Sequence, residues 1–568
     1  GEWVEALLAR VRLRRAYCAT LQHLSKGYKG IKGARKSITW AQTQLTAAVA
    51  SRGYDAGRLG KHSIQPELNM KMIAPSPPRA VRILSVADAF SELSRMLRDL
   101  DSLALRISLV TELDQLHRFV SSYTASSPAP GVVPRSFLRM LLSPDHRGDQ
   151  IAGGLPMTAW IKASMTQYLI PDEALARPEA GVFVQRCAKV VFNYCLTLTY
   201  NAGRQRRRMV HAMEDWGQVQ IQAERMDQHA FLVHDENGKG SLVSATGAFF
   251  SGWLLDHLIL MVTRYLELGF QLRLYAGFEY SMIYWYWDYL LGVRINCQPT
   301  LFFPTSRAFQ EQQLKKDKAA AAAKSNKKKG KADKGGDKVK KAPEASLEQL
   351  SLEAHQALCR GMFRLVAGLT RQGTYFIDPL AAASLPLRFH RRFSPVMRLE
   401  QPSALTYDHY LDSTDCSPYM PSDLFAASGE SFAEAKAVCE RLAHRLRDKT
   451  LGASPPELAS LDEDQLESVR GLLRVAGYNH SLSVMLQTRA ILLAQHPTLD
   501  PAQLPPLPTL PDVPKKETGT VLVPPLEGGE PSTLGTVLPC DAPRVTMSPY
   551  IAFDFTGCAS FPCVVVTT

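Results

Sequence analysis

The chain has 568 residues, 45% of them hydrophobic and 21% charged, with a formal net charge of +12. That balance suits a folded globular protein and excludes an intrinsically disordered one, and the length allows either two to four domains or one large helical array. Twelve Lys and three Asp between Lys315 and Lys341 supply +9, so the other 541 residues carry only +3 and the basicity belongs to one segment rather than to the fold.

The ten cysteines form no C-x-x-C pair, and Cys558 and Cys563 have neither a second pair nor a His cluster beside them. No metal is expected, and scattered thiols of this kind fit a reduced, cytoplasmic setting. The chain starts at Gly1 with no basic segment leading into a short apolar core, so no secretory signal is expected.

Helical spacing of apolar residues begins at once. Glu2–Leu24 reads as a helix, a Gly/Lys loop follows over residues 27–37, and Ile38–Ala50 reads as the next helix. A proline-bounded connection covers Pro66–Pro78. Ala80–Tyr123 is a long helical region with Leu84, Ala87, Phe90, Leu93, Leu97 and Leu100 on one face; a loop spans Ser126–Pro134, and short helices are expected at Arg135–Leu142 and Met157–Leu169. Pro171–Asp227 holds a long helix that starts after Pro178 and has Phe183, Cys187, Val190, Val191, Tyr194 and Leu198 on its apolar face. Asn201 to Arg208 then reads as a basic turn, after which Met209, Met213, Trp216 and Val219 resume the apolar stripe. Asp235–Gly240 is a turn.

Phe249 to Leu291 is the densest apolar and aromatic stretch, read as two helices broken near Gly269. The first, Phe249–Leu268, has the 20 residues of a membrane span but contains Asp256, His257, Arg264 and Glu267. Each charge would cost about 2.5–3.5 kcal/mol at a bilayer centre, so core packing is favoured, with His257 a packing residue. Beyond the insert, helical pattern returns at Leu347–Leu369, Glu430–Arg447 and Asp462–Leu493, with a basic connection at Leu387–Arg398. Proline dominates from Pro497 to Pro525, and the tail from Tyr550 to Thr568 reads as one or two short strands. No fixed-period repeat stands out. The expected fold is therefore mainly α. It is a large irregular helical array, divided into a helical region over 1–230, an aromatic helix pair over 231–306, a disordered Lys/Ala-rich insert over 307–345, a helical region over 346–496, and a Pro-rich extended segment with C-terminal strands over 497–568.

Catalytic patterns fail one by one. Gly30–Ser37 looks like a phosphate loop but has Arg35 where Gly must stand for the amides to wrap phosphate. The Asp235–Gly240 turn lacks the distal Glu of a calcium loop, Thr246 standing in its place. There is no G-x-S-x-G and no H-E-x-x-H, and the run Asp462–Asp464 is a solvated helix start. No catalytic, cofactor-binding or metal-binding residue is assigned, and the chain is not expected to be an enzyme. What remains is basic: Arg204, Arg206, Arg207 and Arg208 within five residues, and Lys327, Lys328 and Lys329, are candidate contacts to RNA phosphate or an acidic protein. A helical RNA-binding or adaptor protein is one class that fits.

A second class comes from resemblance. Asn201-Ala-Gly-Arg-Gln-Arg-Arg-Arg-Met209 with Ala223-Glu-Arg-Met-Asp227, Gly269-Phe-Gln-Leu-Arg-Leu-Tyr275 with Glu279-Tyr280 and Ile283-Tyr-Trp-Tyr286, Gly361-Met-Phe363, His390-Arg-Arg-Phe393, and the closing Phe553-Asp-Phe555 with Phe561, Pro562, Val564 and Val565 occur in one order along the chain. Together they resemble the large auxiliary subunits of the NatC N-terminal acetyltransferase complex. The resemblance implies a helical, non-catalytic scaffold that holds a GNAT-fold catalytic subunit and a small Sm-like subunit at the ribosome. The complex would acetylate nascent chains that begin with Met and a bulky apolar residue, with acetyl-CoA bound by the catalytic partner. Consistent with this, the chain lacks the GNAT pyrophosphate loop, since Gln150-Ile-Ala-Gly-Gly-Leu155 carries Leu where the second Gly should be. The family's N-terminal part, with its Asp-Pro-Lys-Met-Asp-type motif, is not found in these residues. The chain is expected to be a fragment or truncated, with that share of the grip on the catalytic subunit outside it.

Overall fold

The computed structural model describes residues 2–24, 26, 30–50, 86–109, 113, 116–117, 119–121, 157–200, 202–234, 238, 240–272, 274–297, 346–414, 419–451, 456–497, 499, 504–509, 550–555, 558 and 560–567. The expected helix at 135–142, the connections at 66–78 and 126–134, the insert at 307–345 and most of the Pro-rich stretch lie outside these residues. In order the elements are α1 (Glu2–Leu24), α2 (Ile31–Ala50), α3 (Val86–Leu109), α4 (Met157–Gln167), α5 (Asp172–Leu175), α6 (Pro178–Leu198), α7 (Ala202–Phe231), β1 (Leu232–His234), β2 (Gly240–Leu242), α8 (Phe250–Gln271), α9 (Tyr280–Cys297), α10 (Leu347–Arg371), α11 (Pro379–Ala383), α12 (Leu385–Phe393), α13 (Tyr407–Thr414), α14 (Pro421–Leu451), α15 (Pro456–Gln495), β3 (Tyr550–Asp554) and β4 (Cys563–Thr567). The fold is mainly α, with short C-terminal strands, and none of the helices searched among the described residues is long and apolar enough to cross a membrane.

The chain forms two compact units. The first comprises Gly1–Ala276, Tyr286–Gln349 and Leu385–Tyr410; the second comprises Gly277–Trp285, Leu350–Ser384 and Leu411–Thr568. In the first, α6, α7 and α8 build an aromatic core. Phe183 meets Phe250 and Trp253 edge-on at 5.6 and 6.5 Å, and the Tyr194 hydroxyl donates to the Met261 carbonyl at 2.8 Å. α8 is apolar on most of its circumference and buries Asp256, with Arg294 of α9 donating to it at 3.0 Å and to Glu348 at 2.5 Å. A charge at that depth is stable only when paired in this way.

In the second unit α14 and α15 form an antiparallel hairpin that buries Phe425, Phe432, Val438 and Leu442 against Leu472, Val475, Leu482 and Leu486. α10 lies close enough that a Cβ on Gly361 or Gly368 would stand 2.9 Å from the Phe432 ring or 2.7 Å from the Phe425 ring, so both positions need glycine. β3 and β4 pair antiparallel, with Phe553 opposite Val564. Asn479 of α15 ties β4 down: its amide donates to the Pro562 carbonyl at 2.9 Å and its oxygen accepts from the Val564 N–H at 3.0 Å. The aromatic start of α9 belongs here, with Tyr284 stacked on Phe561 at 5.5 Å and Tyr280 edge-on to Phe553 at 4.8 Å.

Several local expectations are corrected. The break expected near Gly269 falls just beyond it: α8 ends at Gln271, α9 starts at Tyr280, and the Tyr275 ring folds back onto the space a Gly269 Cβ would fill. The Gly/Lys loop is helical from Ile31, and Gly33 lets α2 approach the His23 ring of α1. The stretch 387–398 is mostly helix, since Leu385–Phe393 buries Phe389 and Phe393 four residues apart. On α3 Leu97 and Leu100 are buried while Leu93 is exposed.

Candidate interaction face on the central helix

α7 starts where the chain turns after α6. The N–H of Thr199 closes that turn on the Leu196 carbonyl. The Gln205 side chain, fully buried, then reaches back and donates to the Leu198 carbonyl at 3.0 Å, satisfying an orphan group of the α6 C-terminus. The expected basic turn at 201–208 is thereby corrected: from Ala202 on it is the first two turns of a 30-residue helix, and the reversal itself falls at Thr199 and Tyr200. The sequence misled because four arginines and a glycine interrupt the apolar period, while the residue that fixes the register is the polar Gln205.

The inward face of α7 is Met209, Ala212, Met213, Trp216, Val219, Ala223 and Met226, all buried. One turn before its C-terminus stands Asp227, whose carboxylate accepts the Phe250 N–H at 2.7 Å and the Ser251 N–H at 3.0 Å. Phe249 offers no side-chain cap to α8, so Asp227 caps that helix from outside. Burial raises the Asp227 pKa, and the bonds from Ser251 and Phe250 pull it back.

The outward face carries the charge. Arg207 and Arg208 are exposed, with no ion pair or hydrogen bond among the described residues. Arg206 is half-buried and acts, with Arg392 of α12, on the phenol of Tyr265: burial raises that pKa and the two guanidinium groups, Arg392 first, lower it. Arg392 also donates to the Leu274 carbonyl at 2.7 Å and lies 4.9 Å over the Tyr275 ring. Arg204 lies in the first turn of α7, whereas Lys327, Lys328 and Lys329 are outside the described residues. Arg392 was not assigned to the site from sequence, although the His390-Arg-Arg-Phe393 run is visible there.

Further along this face lie two shallow clefts. One, of about 250 Å³, is lined by Glu214, Gly217, Gln218, Ile221, Arg398 and Glu400. The other, of about 420 Å³, includes Glu179, Arg186, Gln222, Arg225 and His229 in its walls.

A nucleophile-like set does occur inside the first unit. Ser164 Oγ is 3.1 Å from His257 Nε2, and His257 Nδ1 is 3.9 Å from Asp256. The second distance is too long for a hydrogen bond, Asp256 is turned to Arg294, and Ser164 accepts the Trp253 indole N–H at 3.1 Å. These residues form a packing network, with His257 stacked on Trp253 at 4.5 Å. Burial pushes the thiols of Cys195, Cys439 and Cys563 up to about 12, which leaves them un-ionised and poor nucleophiles at neutral pH. No group of three or more His, Cys, Asp or Glu suited to a metal occurs among the described residues.

The class defined by this fold is a helical array that presents a charged helix face. Comparison with known proteins gives the family. The profile described as NAA35-like, TPR repeats, matches residues 103–563, and the chain belongs to that family. It is 24% identical over 470 residues to the rat protein named N-alpha-acetyltransferase 35, NatC auxiliary subunit, covering 78% of this chain and 62% of that one. It is likewise 24% identical over 463 residues to the human protein of that name, covering 77% and 61%. The chain therefore spans about six tenths of the length of these relatives. The crystal structure of the NatC complex bound to CoA contains a chain of similar fold, with a TM-score of 0.52 at 12% identity, covering 100% of this chain and 74% of that one. These relatives carry the name of an auxiliary subunit, not a catalytic one.

Proposed function

We propose that this chain is the non-catalytic scaffold subunit of a NatC-type N-terminal acetyltransferase. The observation that carries the reading is the match of the family profile from residue 103 to residue 563. In this reading the chain binds a GNAT-fold catalytic subunit, which holds acetyl-CoA, and a small Sm-like subunit. It works in the cytoplasm on nascent chains that begin with Met and a bulky apolar residue. Arg204, Arg206, Arg207 and Arg208 of α7, with Lys327, Lys328 and Lys329, contact ribosomal RNA. The exposure of Arg207 and Arg208 supports that assignment, because unpaired surface guanidinium groups gain the most from releasing phosphate counterions.

Co-expression with the two other subunits tests the assembly: purification through a tag on this chain should bring down both, and elution of the chain alone contradicts the reading. Ribosome co-sedimentation tests the basic face. Arg207→Glu with Arg208→Glu should weaken binding at low salt and flatten its salt dependence by about two charges; unchanged co-sedimentation contradicts the RNA assignment while leaving the subunit role standing.

A further inference from the structure

The α1–α2 hairpin packs with its bulky residues on the wrong side for a self-contained pair. Against α2, α1 buries Ala9, Ala16 and Thr20. Its larger apolar residues face solvent instead: Val4, Leu7, Leu8 and Val11 are 46%, 43%, 45% and 54% exposed. At 3.6 residues per turn these four fall within about 100° of one another, and Ala9, Ala16 and Thr20 lie about 120–160° round from Val4. Arg12 and Arg14, both exposed, flank the stripe about 80° to either side of Val4, and exposed Arg15 continues along it.

The spacing says what covers it. Val4, Leu7 and Val11 follow the three-then-four step of a coiled-coil seam, with Val at the two a-type positions and Leu at the d-type position. Arg14 takes the following d-type position, so the apolar seam ends in charge there, and Arg15 stands at an e-type position, where charge selects the partner. The geometry points to α1 as a docking helix for an acidic amphipathic helix of a partner protein, which lays an apolar seam on Val4, Leu7, Leu8 and Val11 and sets its carboxylates against Arg12, Arg14 and Arg15. A second copy of this chain would instead bring the three arginines of each face together, and like charges on a seam repel. A lipid surface is matched less well, because positions 4, 7, 8, 11, 15 and 18 carry no aromatic anchor. This face is read from α1 alone and does not depend on the subunit role proposed above.

The test uses the full chain and two synthetic three-heptad helices with the same Val/Leu seam, one flanked by Glu and one by Lys, followed by fluorescence anisotropy. The Glu-flanked helix should bind about tenfold more tightly than the Lys-flanked one, with the preference shrinking in high salt. Leu7→Asp with Val11→Asp should remove at least tenfold of that affinity while leaving circular dichroism and Tm as in the parent chain. Arg12→Glu with Arg14→Glu and Arg15→Glu should reverse the preference, an outcome that loss of structure cannot produce. Equal binding of the two helices, or full binding by the Leu7→Asp/Val11→Asp chain, overturns the proposal. So does self-association in sedimentation that those two substitutions abolish, or stronger binding to vesicles containing phosphatidylserine than to the Glu-flanked helix.

Discussion

The hairpins α1–α2 and α14–α15 are built from the same element and spend their apolar residues oppositely. α14 turns Phe425, Phe432 and Leu442 toward its own unit, where Gly361 and Gly368 of α10 make room for the two rings. α1 turns alanines inward and leaves Val4, Leu7, Leu8 and Val11 outside. A hairpin of the first kind draws its stability from itself and its neighbours within the unit. One of the second kind holds its partner by close backbone approach and keeps its larger side chains for another surface.

Truncating equivalent residues on the two hairpins breaks or sharpens this contrast. Phe432→Ala should cost about 3–5 kcal/mol, since it empties a fully buried ring site faced by a glycine that cannot fill it; chemical denaturation of the second unit measures this. A comparable loss, also about 3–5 kcal/mol, is expected in the first unit for Arg294→Leu, which strands the buried Asp256 carboxylate. Asp227→Ala should cost about 1–2 kcal/mol through the lost cap on α8. Its pH signature has a definite sign. Because burial raises the Asp227 pKa above its ordinary 3.8, the folded chain holds that proton more tightly than the unfolded one. The contribution is largest in acid and is lost as pH rises from 3.8 through the raised value. Tm measured across this window should fall for the parent relative to Asp227→Asn. Leu8→Ala, the smallest effect, should move stability by no more than about 0.5 kcal/mol. A loss as large as that of Phe432→Ala would show that the α1 stripe is core and would end the contrast.

The helical course was legible wherever apolar spacing ran unbroken. The stripe of Phe183, Cys187, Val190, Val191, Tyr194 and Leu198 is buried throughout, and α1 spans the residues its periodicity predicts. It failed where a polar or glycine residue performs a packing task. Gln205 anchors the start of α7 and Gly33 admits a neighbouring ring, yet in sequence each stands in a stretch that reads as a turn or loop. Glycine in a sequence does not say whether it bends the chain or yields space. The repeat character of the family was not legible either, because the α-helices among the described residues range from 4 to 40 residues in length. At the candidate face the arginines of α7 were visible. Arg392 was not connected to them, since it lies almost two hundred positions away, and only in the fold do Arg392 and Arg206 both lower the Tyr265 pKa. The resemblance blocks behave alike: Tyr275, Arg392 and Phe393 gather in the first unit, and Tyr280, Tyr284, Phe553 and Phe561 in the second. What marks the family in sequence is therefore largely its aromatic packing.

The most direct measurement of the central claim is acetyl transfer from acetyl-CoA to a peptide beginning Met-Leu, by the catalytic and Sm-like subunits with and without this chain. The account predicts no transfer by the chain alone and faster transfer when it joins the other two in a stable complex. Transfer by the chain alone, or a rate unchanged by its addition, would contradict it.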